Sequence, residues 1–295
     1  MVLFDWGTYN GLGKLRNAEL LGTKLTEIPP YDFARKRRPP EYFERYKEIA
    51  TKAFTTITAH APYYALIPRI PTKENIEKVK KIMLDVAIKA RTAGAEILNM
   101  HIGGKTGDLD RDIEIVSDVV KYLIENTKEI KFSLETTYSG YLFGSIEEIR
   151  AVIESVNSDR VLISLQLEND WMREFNVWRT GDFERANRLT TVNFWKKILK
   201  AGLELGNGYL SLRFAQVVGV KLRGFVVKKR VPLGMGYPSL STLAEALAEF
   251  MVKEVYDKGL PVKMHLIYTG LPEVKYKDTI KLYSEVMQRV VNYLQ

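Results

Sequence analysis

Three histidines occur in the sequence, His60, His101 and His265, and each falls in a short apolar run of the kind that forms a strand. His60 closes Thr-Ile-Thr-Ala-His, His101 closes Ile-Leu-Asn-Met-His, and His265 stands in Val-Lys-Met-His-Leu-Ile. A further run, Phe-Ser-Leu-Glu135, ends on a carboxylate. Neutral imidazole and carboxylate are the N and O donors that zinc, manganese and iron take, and a few of them on adjacent strands surround one ion. A lone His in a strand is ordinarily a hydrogen-bonded core residue; three at one end of their strands, with Glu135, favour ligation. The expected metal set is His60, His101, Glu135 and His265, with Glu168 as an alternative fourth ligand or a general base beside Glu135. The expected cofactor is one divalent ion, zinc ahead of manganese.

Other hydrolytic chemistry finds little support. Cysteine is absent, which removes disulfides, thiolate ligands and thiol nucleophiles together. No Gly-x-Ser-x-Gly elbow occurs. Gly103-Gly104-Lys105-Thr106 echoes a phosphate loop, but its first glycine is missing because position 99 is Asn. Metal chemistry, or none, is what remains.

Cations cluster in the loops that follow candidate strands. Arg35, Lys36, Arg37 and Arg38 follow the second run and Lys228, Lys229 and Arg230 the seventh, with Arg69 and Lys105 between. Lys plus Arg number 44 against 36 acidic residues, a net charge of +8 that favours anionic partners. Charge runs are usually solvated loops. Placed on one face and interleaved with Tyr63, Tyr64, Tyr138, Tyr141, Trp171 and Trp178, these would bind phosphates and stack on bases, so the expected partner is DNA or another phosphate-bearing ligand.

These groups need a scaffold that turns strand ends toward one pocket. Eight apolar runs read as strands: Val2–Trp6, Leu25–Ile28, Thr55–Ala61, Glu96–Ile102, Lys131–Thr136, Val161–Leu167, Tyr209–Ala215 and Val262–Tyr268. Helical patterns lie between and after them at Leu12–Leu21, Pro40–Ala53, Lys73–Ala93, Asp110–Lys128, Ser145–Val156, Thr191–Leu205, Ser239–Lys258 and Thr279–Tyr293. Ser145 with Glu148 reads as a capping box, and Gly94, Gly202 and Gly259 fall where helices should stop. Eight strand–helix pairs predict an α/β fold, a single (β/α)8 TIM barrel spanning residues 1–295, ahead of an open doubly wound sheet. The opening residues lack a signal-peptide pattern and no segment approaches a membrane span, so a cytoplasmic protein without membrane partners is expected. Zero cysteine and two-signed charge also suit a thermophile.

His60-Ala-Pro-Tyr63 resembles the endonuclease IV motif of a strand-end His followed three residues later by Tyr. Met100-His101-Ile-Gly103 resembles that family's His-Pro-Gly turn, Leu134-Glu135-Thr-Thr137 its Glu-Asn-Thr strand end, and Pro232-Leu-Gly-Met-Gly236 its Leu-Gly-Glu-Gly phrase. The chain thus resembles the endonuclease IV group of the xylose isomerase-like barrels from Val2 to the last helix. The resemblance implies that His60, His101 and Glu135 ligate one zinc, with Tyr63 at the substrate. It also exposes departures. Gln166-Leu-Glu168-Asn169 stands where the family has Asp-Thr-Cys-His, Arg213 or Phe214 where it has a strand-seven His, Lys228-Lys229-Arg230 where it has Asp-Arg-His, and His265 where it has Glu. Amides and cations in place of ligands predict a reduced, one-metal site, with Gln166, Asn169, Arg213 and the Lys228–Arg230 run left to bind substrate.

Three functions compete. The first is metal-dependent phosphodiester hydrolysis at abasic or damaged DNA. The second is a catalytically silent barrel without metal that binds nucleic acid or a phosphorylated ligand. The third, a sugar isomerase or epimerase, usually requires a Glu, Asp, His, Glu set, of which only Glu135 is in register.

Overall fold

Strand and helix alternate because each strand buries its outward side chains under the apolar stripe of a neighbouring helix. The computed structural model describes residues 3–34, 38–222 and 225–295. In chain order these form β1 (Leu3–Tyr9), α1 (Leu15–Leu20), β2 (Leu25–Ile28), α2 (Pro40–Ala53), β3 (Thr56–His60), α3 (Lys73–Thr92), β4 (Ile97–Met100), α4 (Leu109–Asn126), β5 (Lys131–Glu135) and α5 (Ile146–Val156). There follow β6 (Val161–Gln166), α6 (Leu167–Glu174), α7 (Thr180–Leu189), α8 (Val192–Glu204), β7 (Tyr209–Phe214), β8 (Gln216–Leu222), β9 (Phe225–Val231), α9 (Leu240–Glu249), β10 (Lys263–Tyr268) and α10 (Lys275–Leu294). β1 to β7 and β10 pair in parallel as a closed barrel in the order β1-β10-β7-β6-β5-β4-β3-β2, and pairing of β2 with β1 excludes an open sheet. The chain is a (β/α)8 TIM barrel.

Ser145 accepts from the Glu148 backbone while the Glu148 carboxylate takes the Ser145 N–H, so the capping box forms at the start of α5. Gly202 departs from expectation. It lies inside α8, where a Cβ would stand 2.5 Å from Leu165 Cδ1, so glycine lets the helix close on β6. Two pieces beyond the eight expected pairs are α6 with α7, and an antiparallel hairpin of β8 and β9 where a loop was expected.

The two faces of the strands differ in chemistry. Phe132 and Leu134 of β5, Ile163 and Leu165 of β6, Leu210, Leu212 and Phe214 of β7, and Met264 and Leu266 of β10 all join the apolar core under the helices. Their alternates Ser133 and Glu135, Ser164 and Gln166, Ser211 and Arg213, and His265 line the lumen. Barrel interiors are ordinarily filled with branched apolar residues. Here Ser133 Oγ donates to Asn99 Oδ1 at 2.9 Å and Ser164 meets Ser211 at 3.2 Å, so a polar column runs up to the mouth. Among the described residues no helix is long and apolar enough to cross a membrane.

Candidate metal centre

His60 closes β3, His101 follows the last residue of β4 and Glu135 closes β5. Ligand atoms of the three lie within 4.8 Å of one another. His60 Nε2 is 3.3 Å from Glu135 Oε2 and His101 Nδ1 is 3.7 Å from Oε1. Their neighbours fix how each is presented. His60 Nδ1 lies 2.8 Å from the Ala61 carbonyl, which only accepts, so Nδ1 carries a proton and Nε2 is the nitrogen turned toward Glu135. After His101 the chain turns at Gly103, where φ is +116° and a Cβ would stand 2.7 Å from that of Ala65.

Glu135 is buried and accepts from the Asn99 side-chain amide. Ser133, by donating to Asn99 Oδ1, keeps that amide nitrogen turned toward Glu135. Burial alone would raise the Glu135 carboxyl; His101, His60 and Arg213 beside it outweigh burial and hold it well below the ordinary carboxylate range. Burial pushes His101 down to about 4, against the pull of Glu135 and with His60, Arg213 and Arg230 adding to the drop. A neutral His101 imidazole and the Glu135 carboxylate are thus in place at neutral pH, with the His60 ring beside them. That donor set fits zinc held by three protein ligands with a fourth position open.

On the other side of Glu135 stands Arg213. Its terminal nitrogens donate to Glu27 at 2.5 and 2.8 Å, and its Nε lies 3.3 Å from both Gln166 Oε1 and Glu135 Oε2. β7 and β2 are not neighbours in the sheet, so this contact spans the lumen. Next comes Glu168, which is fully buried: Gln166 Nε2 meets both of its oxygens at 2.7 Å, the Ala215 N–H reaches Oε2 at 3.3 Å, and Lys228 Nζ is 4.0 Å from Oε1. Lys228 also donates to Asn169 Oδ1, and burial lowers its pKa. Arg230, two residues along β9, bears electrostatically on both His101 and Tyr9. The hairpin therefore brings two cations to the mouth.

A family model described as xylose isomerase-like TIM barrel matches residues 15–255. The chain belongs to the xylose isomerase-like TIM barrel family. An uncharacterized protein of Methanocaldococcus jannaschii is 39% identical over 296 residues, covering 100% of this chain and 93% of that protein. A probable endonuclease 4 of Metamycoplasma arthritidis is 25% identical over 148 residues, 49% of this chain and 51% of its own. A solved D-tagatose 3-epimerase-like protein superposes with a TM-score of 0.67 at 13% identity, covering 99% of this chain and 100% of its own. That last likeness is one of fold.

Within this xylose isomerase-like barrel one expected ligand is displaced. His265 does not join His60 and His101; it lies at the floor, 3.7 Å from Glu96 and in edge contact with Tyr209. The reason is register: Leu266, Ile267 and Tyr268 still follow it in β10, about 10 Å of strand. Of the strand-seven pair, Arg213 faces the lumen and Phe214 the core. Tyr63 is 75% exposed and packs beside His101 with ring centroids 4.6 Å apart. Lys229 alternates with Lys228 and Arg230 along β9 and is exposed. Arg38 is held by Asp32 at 3.0 Å, and Lys105 by Glu148 at 2.5 Å; Arg35, Lys36 and Arg37 lie outside the described residues. Sequence reasoning missed Glu27 and Asn99. Each is a polar residue within an apolar strand run, the signal of a side chain turned into the lumen.

Proposed function

We propose that this barrel hydrolyses phosphodiesters at abasic or damaged sites in DNA, using one divalent ion, zinc ahead of manganese, held by His60, His101 and Glu135. The observation that carries the proposal is the convergence of those three donors within 4.8 Å at a mouth that Lys228 and Arg230 also reach. The partial likeness to a probable endonuclease 4 supports the choice of DNA. A bound divalent ion supplies Lewis acidity toward a phosphoryl oxygen and a water of pKa near ~7. Lys228 and Arg230 hold the phosphate, Glu168 and Asn169 hold Lys228, and Gln166 ties Glu168 to Arg213. Tyr63, exposed beside His101, lies against the sugar or base.

The test uses untagged, full-length protein. Elemental analysis should find about one ion per chain, and abasic duplex should be cut where intact duplex is not, with loss of cutting in His101→Ala, in Glu135→Gln and on chelation. Background metal content together with uncut abasic duplex would remove the proposal.

One contact favours a second reading, a silent barrel that binds phosphate-bearing ligands without metal. Arg213 already gives Glu135 a cation 3.3 Å away, so the carboxylate is satisfied without an ion. Undiminished DNA binding in metal-free protein, without cleavage after zinc is added, would decide for it.

A further inference from the structure

Beside the mouth, a cleft of about 220 Å³ opens between the β8–β9 hairpin and the chain around α6 and α7. Phe183 forms part of its buried floor, Tyr138 and Trp178 contribute aromatic faces, Val226 and Val227 form the hairpin side, and Lys228 also lines it. Trp178 is 42% exposed and Val227 39%, so apolar surface stands open to water there. The hairpin is pressed onto α7: a Cβ at Gly219 would stand 2.6 Å from Phe183 Cε2 and 3.0 Å from Val226 Cγ1. The cleft thus has a fixed wall.

Lys228 joins this cleft to the mouth. Its Nζ lies 4.9 Å from the Tyr138 ring centroid while donating to Asn169 and standing 4.0 Å from Glu168. The cleft is smaller than the ~300 Å³ at which whole small-molecule sites begin, so it takes one part of a ligand. Aromatic and aliphatic walls suit a flat ring and leave a sugar's hydroxyls unpaired. A cation at the seam suits an anion attached to that ring.

We propose that the cleft binds the planar base of a nucleotide whose phosphate is held at the mouth by Lys228 and Arg230. The inference rests on the anion-binding mouth proposed above and deepens it by naming the ligand class. Base stacking on Trp178 and Tyr138 selects nucleotides over sugar phosphates, and it needs no metal.

Calorimetric titration of metal-free, full-length protein with adenosine 5′-monophosphate, adenosine and ribose 5-phosphate tests this. The monophosphate should bind roughly five- to a hundredfold more tightly than ribose 5-phosphate, the range of one stacking partner. Trp178→Ala should remove that margin and weaken adenosine, leaving ribose 5-phosphate unchanged; Trp178→Phe should keep most of it. Equal affinities for the two phosphates, or a margin that survives Trp178→Ala, would overturn the cleft. A parallel zinc titration of the wild type and Glu135→Gln reports on the centre alone. A stacking margin without zinc binding keeps the cleft and removes the hydrolase, and zinc binding without the margin does the reverse.

Discussion

Arg213 Nε lies 3.3 Å from Glu135 Oε2 inside the barrel, and both side chains are buried. The remainder of the guanidinium is committed to Glu27, so one cation serves two carboxylates from separate walls of the lumen. Removing one partner of such a network leaves buried charge uncompensated. Arg213→Met should therefore lower the unfolding free energy by about 3–5 kcal/mol. Arg213→Met with Glu27→Leu should recover part of that loss. Urea titration of the three proteins checks it; an unshifted midpoint for Arg213→Met would show that the network contributes nothing.

Asn99 touches no ion in the proposed centre, yet it orients the carboxylate that would. Asn99→Ala should weaken zinc binding about 10- to 100-fold with the three ligands intact, the usual effect of losing an orienting hydrogen bond. Competition against a chromophoric chelator measures this. Wild-type affinity in the variant would show that Glu135 is held by its other neighbours.

His265 sets a pH dependence at the floor. Burial pushes it down from 6.5 to about 4, opposed by Asp5 and assisted by Lys263, and neither ring nitrogen finds a hydrogen-bond partner among the described residues. Below pH ~6.5 the unfolded chain takes up this proton while the folded chain refuses it until about pH 4, so stability falls with acidification across that window. The full loss is on the order of 3 kcal/mol. Unfolding free energies at pH 7 and pH 4.5 should diverge less in His265→Leu than in the wild type. An equal divergence would assign the acid sensitivity to other groups.

Lys228 and Arg230, which share one face of β9, should be told apart by salt from Lys229 on the other face. Lys228→Ala and Arg230→Ala should each weaken duplex binding and reduce the slope of log affinity against log salt by about 1, with Lys229→Ala changing it less. Fluorescence anisotropy over a potassium chloride series reads the slopes. A larger effect at Lys229 would place the phosphate on the outer face of the hairpin.

Much of this was written in local pattern. The alternation of short apolar runs with amphipathic stretches predicts eight βα units, because strand and helix periodicities depend on neighbours a few residues away. His60 and Glu135 end their strands in the sequence as they do in the fold, and the Ser145–Glu148 cap is local by nature. Local pattern does not say how far along a barrel wall a residue sits. His265 has the same residue type and a similar setting to His101, yet it stands at the floor, since its height depends on where β10 begins relative to β1 and β7. The Arg213–Glu27 pair joins residues 186 positions apart, and the hairpin that lifts Lys228 and Arg230 over the mouth follows a strand that would otherwise lead to a helix. The sequence alone determined the barrel and three donors at its strand ends; closure of the sheet decided which polar side chains meet, because only packing across the lumen sets their registers.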